Sequence, residues 1–290
     1  MDINDALERI EKLVAKSLVR RVSASGLVFE LIPLVRHWVA RETDDNPLRD
    51  DARNRYADYV FERATTYLDD ISRFDESATS EGAGLVPDLR LALSAIRDPE
   101  KRITLHAAIG WALWFNGAVD ACAAALEAAQ HDLGEPDTCA ASGLRLHLLK
   151  ARIGYLLGPK EMGLEPVRCV EARARELNDT ALWAEALALR ASRLINARMD
   201  GAIAAELAEA LGKGSEALAE SQPGWAAELA RLDLHRLSLS SPYGGEADTA
   251  VSEAAERCLS LARRSGSAVR LGRVSTSASY ILYTRGVIEP

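Results

Sequence analysis

The sequence is poor in cysteine, and its four cysteines do not form a metal-binding pattern. Cys122, Cys139, Cys169 and Cys258 lie far apart, without a CxxC pair or a histidine at zinc-finger spacing. We therefore expect reduced thiols in a cytoplasmic protein and no metal site. The chain also lacks an apolar run of about 18 residues, so no membrane-spanning helix is expected. Its acidic, amphipathic start differs from a signal peptide.

Positive charge is also scarce. The net charge is −8 and the pI is near 5.3, so the whole chain has no field that attracts phosphates or anionic membranes. Direct binding of nucleic acid is therefore not expected. Few of the basic residues are lysines, and alanine is abundant. This bias is common in proteins of GC-rich bacterial genomes.

Motifs of catalysis are missing as well. The five histidines stand alone in helical segments, and neither HExxH nor GxSxG occurs. The stretch Gly212–Ser215 lacks the glycine five positions before Gly212 that a P-loop requires, and it lies inside a helical repeat. We predict that the chain is not an enzyme and holds no cofactor.

The first residues mix two periodicities. Apolar residues at helical spacing over residues 3 to 16 predict a short amphipathic helix. From Leu18 the pattern changes to that of strands, with a Ser23–Gly26 turn and an apolar run that ends at Ile32. Pro33 suits the start of a second helix. Helix, β-hairpin and helix together predict a partial winged-helix module over residues 1–46.

The next segment, residues 47–84, is expected to connect two modules. The spacing of apolar residues predicts one long helix from Leu48 to Phe74. The stretch Asp75–Gly84 has no large apolar residue, which favours a mobile loop. We expect this loop to be the linker.

From residue 85 to residue 290 only helical patterns remain. They are interrupted about every 40 residues by short turns, each with a helix on either side. These turns are Asn116–Gly117, Gly158–Pro159, Met199–Gly201 and Ser241–Gly245. Helical hairpins at such an interval predict an all-α fold, an α-solenoid of tetratricopeptide-like hairpins in which neighbouring units stack.

Several of these segments resemble a known family. The stretch Leu13–Arg41 is similar to the winged-helix end of the bacterial STAND-class signalling ATPases, which are relatives of NB-ARC proteins. The similarity continues through an Arg-x-x-Tyr-Ala-x-Tyr pattern that begins at Arg53. It extends to Leu89–Leu126, which resembles the start of the tetratricopeptide-like sensor region of that family.

The resemblance implies a regulatory function. In such proteins the solenoid senses a ligand or partner and restrains an ATP-dependent switch, often with a transcriptional output. An NTPase module in a longer parent chain is therefore implied. One departure concerns Leu31–Pro33, where relatives often place a Met-His-Asp-like triplet whose histidine contacts the nucleotide. Because Ile32 cannot donate a hydrogen bond, either the parent protein lacks this contact or the chain represents a divergent branch.

A binding groove is predicted on the first helix of each hairpin, which lines the concave surface of tetratricopeptide-like arrays. Arginine and aromatic side chains there are typical binding anchors, and they favour an acidic peptide of a protein partner or an anionic small ligand. The alternative is that the aromatic residues form core and the arginines are solvated. The candidate residues are Trp111, Trp114, Arg152, Tyr155, Arg193, Asn196 and His235. Trp183 and Trp225 are expected to be packing residues.

Three hypotheses about function follow. The first is a sensor or scaffold region of a bacterial signal-transduction or transcriptional regulator. The second is a DNA-binding winged-helix transcription factor with a helical effector domain, in which Arg20 and Arg21 on the wing contact phosphates. The third is a helical enzyme with a pocket that no motif reveals.

Overall fold

The protein has an all-α fold in the part of the chain that the structure describes, as the sequence predicts. The structure is a computed structural model, and it describes residues 3–21, 29–42, 47–73, 76–133, 139–157, 164–197 and 201–287. Within these ranges thirteen α-helices accompany one two-stranded sheet.

The elements follow one another along the chain with short connections. They are α1 Ile3–Ala15, β1 Val19–Arg21, β2 Phe29–Leu31, α2 Pro33–Glu42, α3 Pro47–Ser72, α4 Glu76–Ala95, α5 Pro99–Phe115, α6 Val119–Ala129, α7 Ala141–Leu157, α8 Leu164–Glu176, α9 Thr180–Asn196, α10 Gly201–Leu218, α11 Pro223–Ser240, α12 Glu246–Arg264 and α13 Ala268–Thr284.

The first compact unit, Met1–Tyr56, contains α1, the hairpin and α2. Strands β1 and β2 pair antiparallel, with Val19 opposite Leu31 and Arg21 opposite Phe29, so the predicted β-hairpin is confirmed. The residues of its predicted turn lie outside the described ranges. Exposed ion pairs one helical turn apart, such as Arg9 with Asp5, support α1.

The second compact unit, Ala57–Pro290, contains the remaining helices. Its boundary with the first unit falls inside α3, at Tyr56 and Ala57. The domain boundaries predicted from the sequence, after residues 46 and 84, stay predictions. A continuous helix hides such a boundary from sequence, because its helical spacing does not change where its packing partners do.

The prediction of a mobile loop at Asp75–Gly84 is wrong. The segment from Glu76 onwards is the first half of α4. Small residues in this segment allow helices to approach closely: a β-carbon at Gly82 would lie 2.5 Å from the hydroxyl oxygen of Tyr67 on α3. The absence of large side chains therefore reflects a tight contact with a neighbouring helix, and tertiary packing outweighs the low helix propensity of glycine.

From α4 onwards each helix packs against the next one in sequence. The odd-numbered helices also pack against one another in succession, α5 on α7, α7 on α9, α9 on α11, and α11 on α13. The predicted turn at Asn116–Gly117 separates α5 from α6, and Gly117 has a φ of 70°, which suits glycine. The predicted turn at Gly158–Pro159 lies outside the described residues.

The apolar core of the second unit consists of successive clusters. One joins α3 to α7, the next joins α7, α8 and α9, and a third joins α9, α10 and α11. Two further clusters join α11, α12 and α13. Each cluster shares an odd-numbered helix with the next, so the odd-numbered helices link the core from one end of the unit to the other.

Side-chain caps fix where several odd-numbered helices begin. Asp98 accepts hydrogen bonds from the first backbone N–H groups of α5, Asp179 does so for α9, and Ser267 for α13. Each cap satisfies donors that have no partner within the helix.

Candidate functional site

The predicted binding residues lie on α5, α7, α9 and α11. Arg152 on α7 stacks on Trp111 of α5, with its guanidinium carbon 5.5 Å from the ring centroid. Its Nη2 donates to Glu185 Oε1 on α9 at 3.2 Å. Trp111 is only 4% exposed and also stacks on Phe115, so it supports the arginine from below and belongs to the core.

A second arginine repeats this arrangement on the next odd-numbered helix, α9. The guanidinium carbon of Arg193 on α9 lies 5.2 Å from the ring centroid of Tyr155 on α7. Arg193 is buried and donates to the backbone carbonyl of Ala151. Burial lowers the pKa of Arg193, and the positive charge of Arg152 lowers it further. Asn196 donates to the hydroxyl oxygen of Tyr155 at 3.4 Å.

The next two odd-numbered helices surround one carboxylate with three guanidinium groups. Glu228 on α11 accepts from Arg231 on the same helix at 2.8 Å. It also forms ion pairs with Arg270 and, at 3.2 Å, with Arg273, both on α13. Burial alone would raise the pKa of Glu228, but the hydrogen bond from Arg231 and the charges of the arginines lower it to about 2.

His235 lies close to these charges on α11. Burial lowers its pKa, and the positive charges of Arg231 and Arg273 lower it further, whereas Glu228 raises it. The neutral imidazole is therefore the favoured form, and His235 adds no charge to its surroundings at neutral pH.

Together these helices carry more positive than negative charge. We name the following set the arginine row: Arg152, Arg193, Arg231, Arg270 and Arg273. Two acids pair with it, Glu185 and Glu228. The side chain of Arg273 is 57% exposed and that of Arg152 is 26% exposed. Glu228 raises the pKa of Arg273, but burial and the positive charges of Arg231 and Arg152 together outweigh it, so the pKa of Arg273 is lowered. The two accessible arginines, on α7 and α13, thus act on one another.

The structure brings five of the seven predicted residues together. Trp111, Arg152, Tyr155, Arg193 and Asn196 form linked contacts on α5, α7 and α9. Of the other two, Trp114 packs against the apolar cluster of α3 to α7. His235 lies close to Glu228, Arg231 and Arg273, the part of the site on α11 and α13.

Sequence reasoning missed the most charged part of the site. Glu228, Arg231, Arg270 and Arg273 were not predicted, although a signal exists. Glu228 and Arg231 are three residues apart, as are Arg270 and Arg273, and that spacing places each pair on one face of its helix. Pairing between the two helices is a tertiary contact that spacing does not predict.

The hairpin arginines differ from the site arginines. Arg20 on β1 pairs with Glu30, which lies directly opposite on β2, at 2.8 Å. Its positive charge is therefore partly offset within the hairpin. Arg21 is exposed and faces Phe29 across the ladder.

Comparisons with known proteins, and searches for metal sites and membrane spans, add no further assignment. No family model, curated protein or solved structure matches the chain. Among the described residues, no group of three or more His, Cys, Asp or Glu side chains is placed to hold a metal ion. None of the described helices combines the length and the apolar character needed to cross a bilayer.

Proposed function

We propose that this chain is the sensor region of a bacterial regulator, an α-solenoid that binds an anionic ligand through its arginine row. The ligand is an acidic peptide segment of a protein partner or an anionic metabolite. Binding then controls an NTPase module in a longer parent chain, while the helix, hairpin and helix at the start of the chain form part of a winged helix.

The relay of core clusters supports the solenoid. The clusters follow one another along the chain, and the odd-numbered helices from α5 to α13 pack against one another in succession. This is the packing expected of stacked hairpins, whose stability is a sum of units and interfaces.

The excess of arginine carries the proposal of an anionic ligand. Among the described residues, Glu228 faces three guanidinium groups and Glu185 one, and burial of Arg193 and Arg270 weakens the screening of their charge by solvent. Arg152 and Arg273 are accessible enough to contact a ligand. Carboxylates and phosphates pair with arginine in a bidentate manner, which gives both affinity and orientation.

The test is a titration of two fluorescently labelled peptides, hexaglutamate and hexaglutamine, followed by fluorescence anisotropy. The wild type is expected to bind hexaglutamate and not hexaglutamine. Replacement of both accessible arginines, Arg152→Gln with Arg273→Gln, is expected to weaken binding by about a hundredfold, since each charge-assisted contact contributes about 1.5 kcal/mol or more. Citrate as a competitor tests whether a small anion occupies the same site.

The control is a matched double variant, Arg97→Gln with Arg175→Gln, which removes two exposed arginines outside the row. It changes the net charge by the same amount, so it is expected to lower the affinity only slightly. Equal loss in both variants would mean that net charge, and no particular site, governs binding.

Regulation is tested in the proposed longer parent protein, which carries the NTPase module. We expect hexaglutamate to change the rate at which this parent protein hydrolyses ATP. The Arg152→Gln/Arg273→Gln variant of the parent is expected to lose this response and to keep the basal rate. A response that persists in the variant would separate the arginine row from regulation.

A further inference from the structure

A cavity of about 780 Å³ lies where α9, α11 and α13 begin. One wall is the last turn of α3, with Arg73. The opposite walls are the beginnings of α9, α11 and α13 and the buried side chain of Arg145 on α7. Its volume is in the range of metabolite-binding cavities in proteins, about 300–1,000 Å³.

Hydrogen-bond donors line several sides of this cavity. Arg73 and Arg145 supply guanidinium groups and Ser221 supplies a hydroxyl group, whereas the Ser265 hydroxyl group donates to the carbonyl of Ala262 and the Ser267 hydroxyl oxygen caps α13. Helix α11 begins here without a side-chain cap, so the N–H of Gly224 faces this end of the helix with no partner inside it. The positive ends of three helix dipoles add to the two arginines.

Two acids also line the cavity. Asp179 is engaged as the cap of α9, where it accepts from the backbone N–H of Leu182, and it lies 4.0 Å from Arg145. Asp69 is exposed at the rim, one helical turn before Arg73. The formal charges of arginines and acids therefore cancel, so an anion is held here by directed hydrogen bonds from Arg73, Arg145, the Ser221 hydroxyl group and the uncapped start of α11.

We propose that this cavity binds the phosphate group of a small organic molecule. A phosphate accepts hydrogen bonds from several directions at once, which fits guanidinium groups on α3 and α7 and donors at the start of α11. The serine hydroxyl groups suit the polar remainder of such a molecule. This site is distinct from the arginine row and does not depend on the proposed function.

Occupancy has a structural consequence for α3. The end of this helix is held by two residues that line the same cavity: Arg145 donates to the carbonyl of Leu68 at 2.6 Å, and the Trp225 indole N–H donates to the carbonyl of Ser72 at 2.8 Å. A ligand that joins Arg73 to the start of α11 adds a further link between α3 and the odd-numbered helices.

The Trp225 indole N–H provides a local probe. In the nitrogen-15-labelled protein its resonance is assigned by the Trp225→Phe variant and followed during titration with inorganic phosphate at constant pH and ionic strength. We expect a saturable shift with phosphate and none with chloride. The exposed Arg73→Gln variant is expected to bind phosphate about tenfold more weakly.

Two controls locate the site. Arg97→Gln, an exposed arginine away from the cavity, and the row variant Arg152→Gln/Arg273→Gln are both expected to leave the phosphate affinity unchanged. Equal shifts with chloride, an unchanged affinity in Arg73→Gln, or loss of binding in the row variant would each overturn the proposal. Ribose 5-phosphate is expected to bind at least fivefold more tightly than phosphate, and an equal or lower affinity would contradict an organic ligand.

Discussion

Two buried ionic clusters in the second unit use the same residue types in different proportions. In the first, Glu171 on α8 accepts from Arg190 on α9 at 2.8 Å and from Arg175 at 2.9 Å, and Arg190 also pairs with Glu206 on α10. Two arginines thus meet two glutamates. In the second cluster, Glu228 meets three arginines, Arg231 on α11 and Arg270 and Arg273 on α13.

On the function proposed above, the difference separates a cluster that only stabilises the fold from one that also binds a ligand. A balanced cluster satisfies its own charges, so it holds α8, α9 and α10 together and has little left for a ligand. An arginine excess leaves positive charge that an external anion can neutralise. The comparison also shows that buried charge by itself does not identify a site, because both central glutamates are buried.

The largest expected effect comes from removing the central carboxylate of the unbalanced cluster. Glu228→Gln leaves three arginines without their counter-charge and is expected to lower the free energy of unfolding by about 3–5 kcal/mol. Glu171→Gln is expected to cost less, since Arg190 keeps Glu206. Denaturant unfolding of both variants measures this, and an equal or greater loss in Glu171→Gln would contradict the distinction.

Acid is expected to reduce the contribution of the Glu228 carboxylate to the free energy of unfolding. The pKa of Glu228 is lowered from 4.5 to about 2, so its contribution to stability is full above pH 4.5 and is lost as the pH falls towards 2. The difference in unfolding free energy between wild type and Glu228→Gln is therefore expected to be constant from pH 7 to pH 5 and to shrink below pH 4.5. A difference that grows on acidification would show the opposite linkage.

Packing between the clusters is tested by two glycines of α10. A β-carbon at Gly214 would lie 2.9 Å from Leu229 and 3.1 Å from Trp183, whereas one at Gly212 meets nothing within 4 Å. Gly214→Ala is expected to destabilise by about 1–3 kcal/mol through overpacking. Gly212→Ala is expected to stabilise by up to about 1 kcal/mol through helix propensity. Thermal unfolding distinguishes the two variants. Equal shifts in Tm would contradict the close packing of Gly214 against Leu229 and Trp183.

The smallest effects on stability are expected at the exposed arginine of each ionic cluster. Arg175 pairs with Glu171 and Arg273 with Glu228, and their side chains are 58% and 57% exposed. Replacement of either by glutamine is expected to change the unfolding free energy by less than about 1 kcal/mol, because exposed ion pairs are screened by water. A larger loss in urea unfolding would assign the residue a structural role.

Local patterns predicted much of the fold. The helical spacing, the β-hairpin and the turn at Asn116–Gly117 are local signals, and the structure has each of them. The prediction of a loop at Asp75–Gly84 was wrong because small residues are typical both of loops and of close contacts between helices. Only the neighbouring side chain, Tyr67, distinguishes the two cases, and its proximity is a property of the folded chain.

The site was predicted in part for the same reason. Counting from the turns identified Arg152, Tyr155 and Arg193, since a residue's place on the first helix of a hairpin is a local property. It missed Glu228 and its arginines, because the excess of charge arises only when α11 and α13 pack together. The side chains of Arg175 and Arg273 are almost equally exposed, and this similarity also arises only in the folded chain.

That similarity allows the most direct test, which is calorimetric titration of hexaglutamate into Arg175→Gln and Arg273→Gln beside the wild type. The two variants lose one exposed arginine each from equally exposed positions beside a buried glutamate. If the arginine excess forms the binding site, Arg273→Gln weakens binding by about tenfold and Arg175→Gln leaves it within about twofold of the wild type. An equal effect of the two substitutions would contradict the assignment of the arginine row as the binding site.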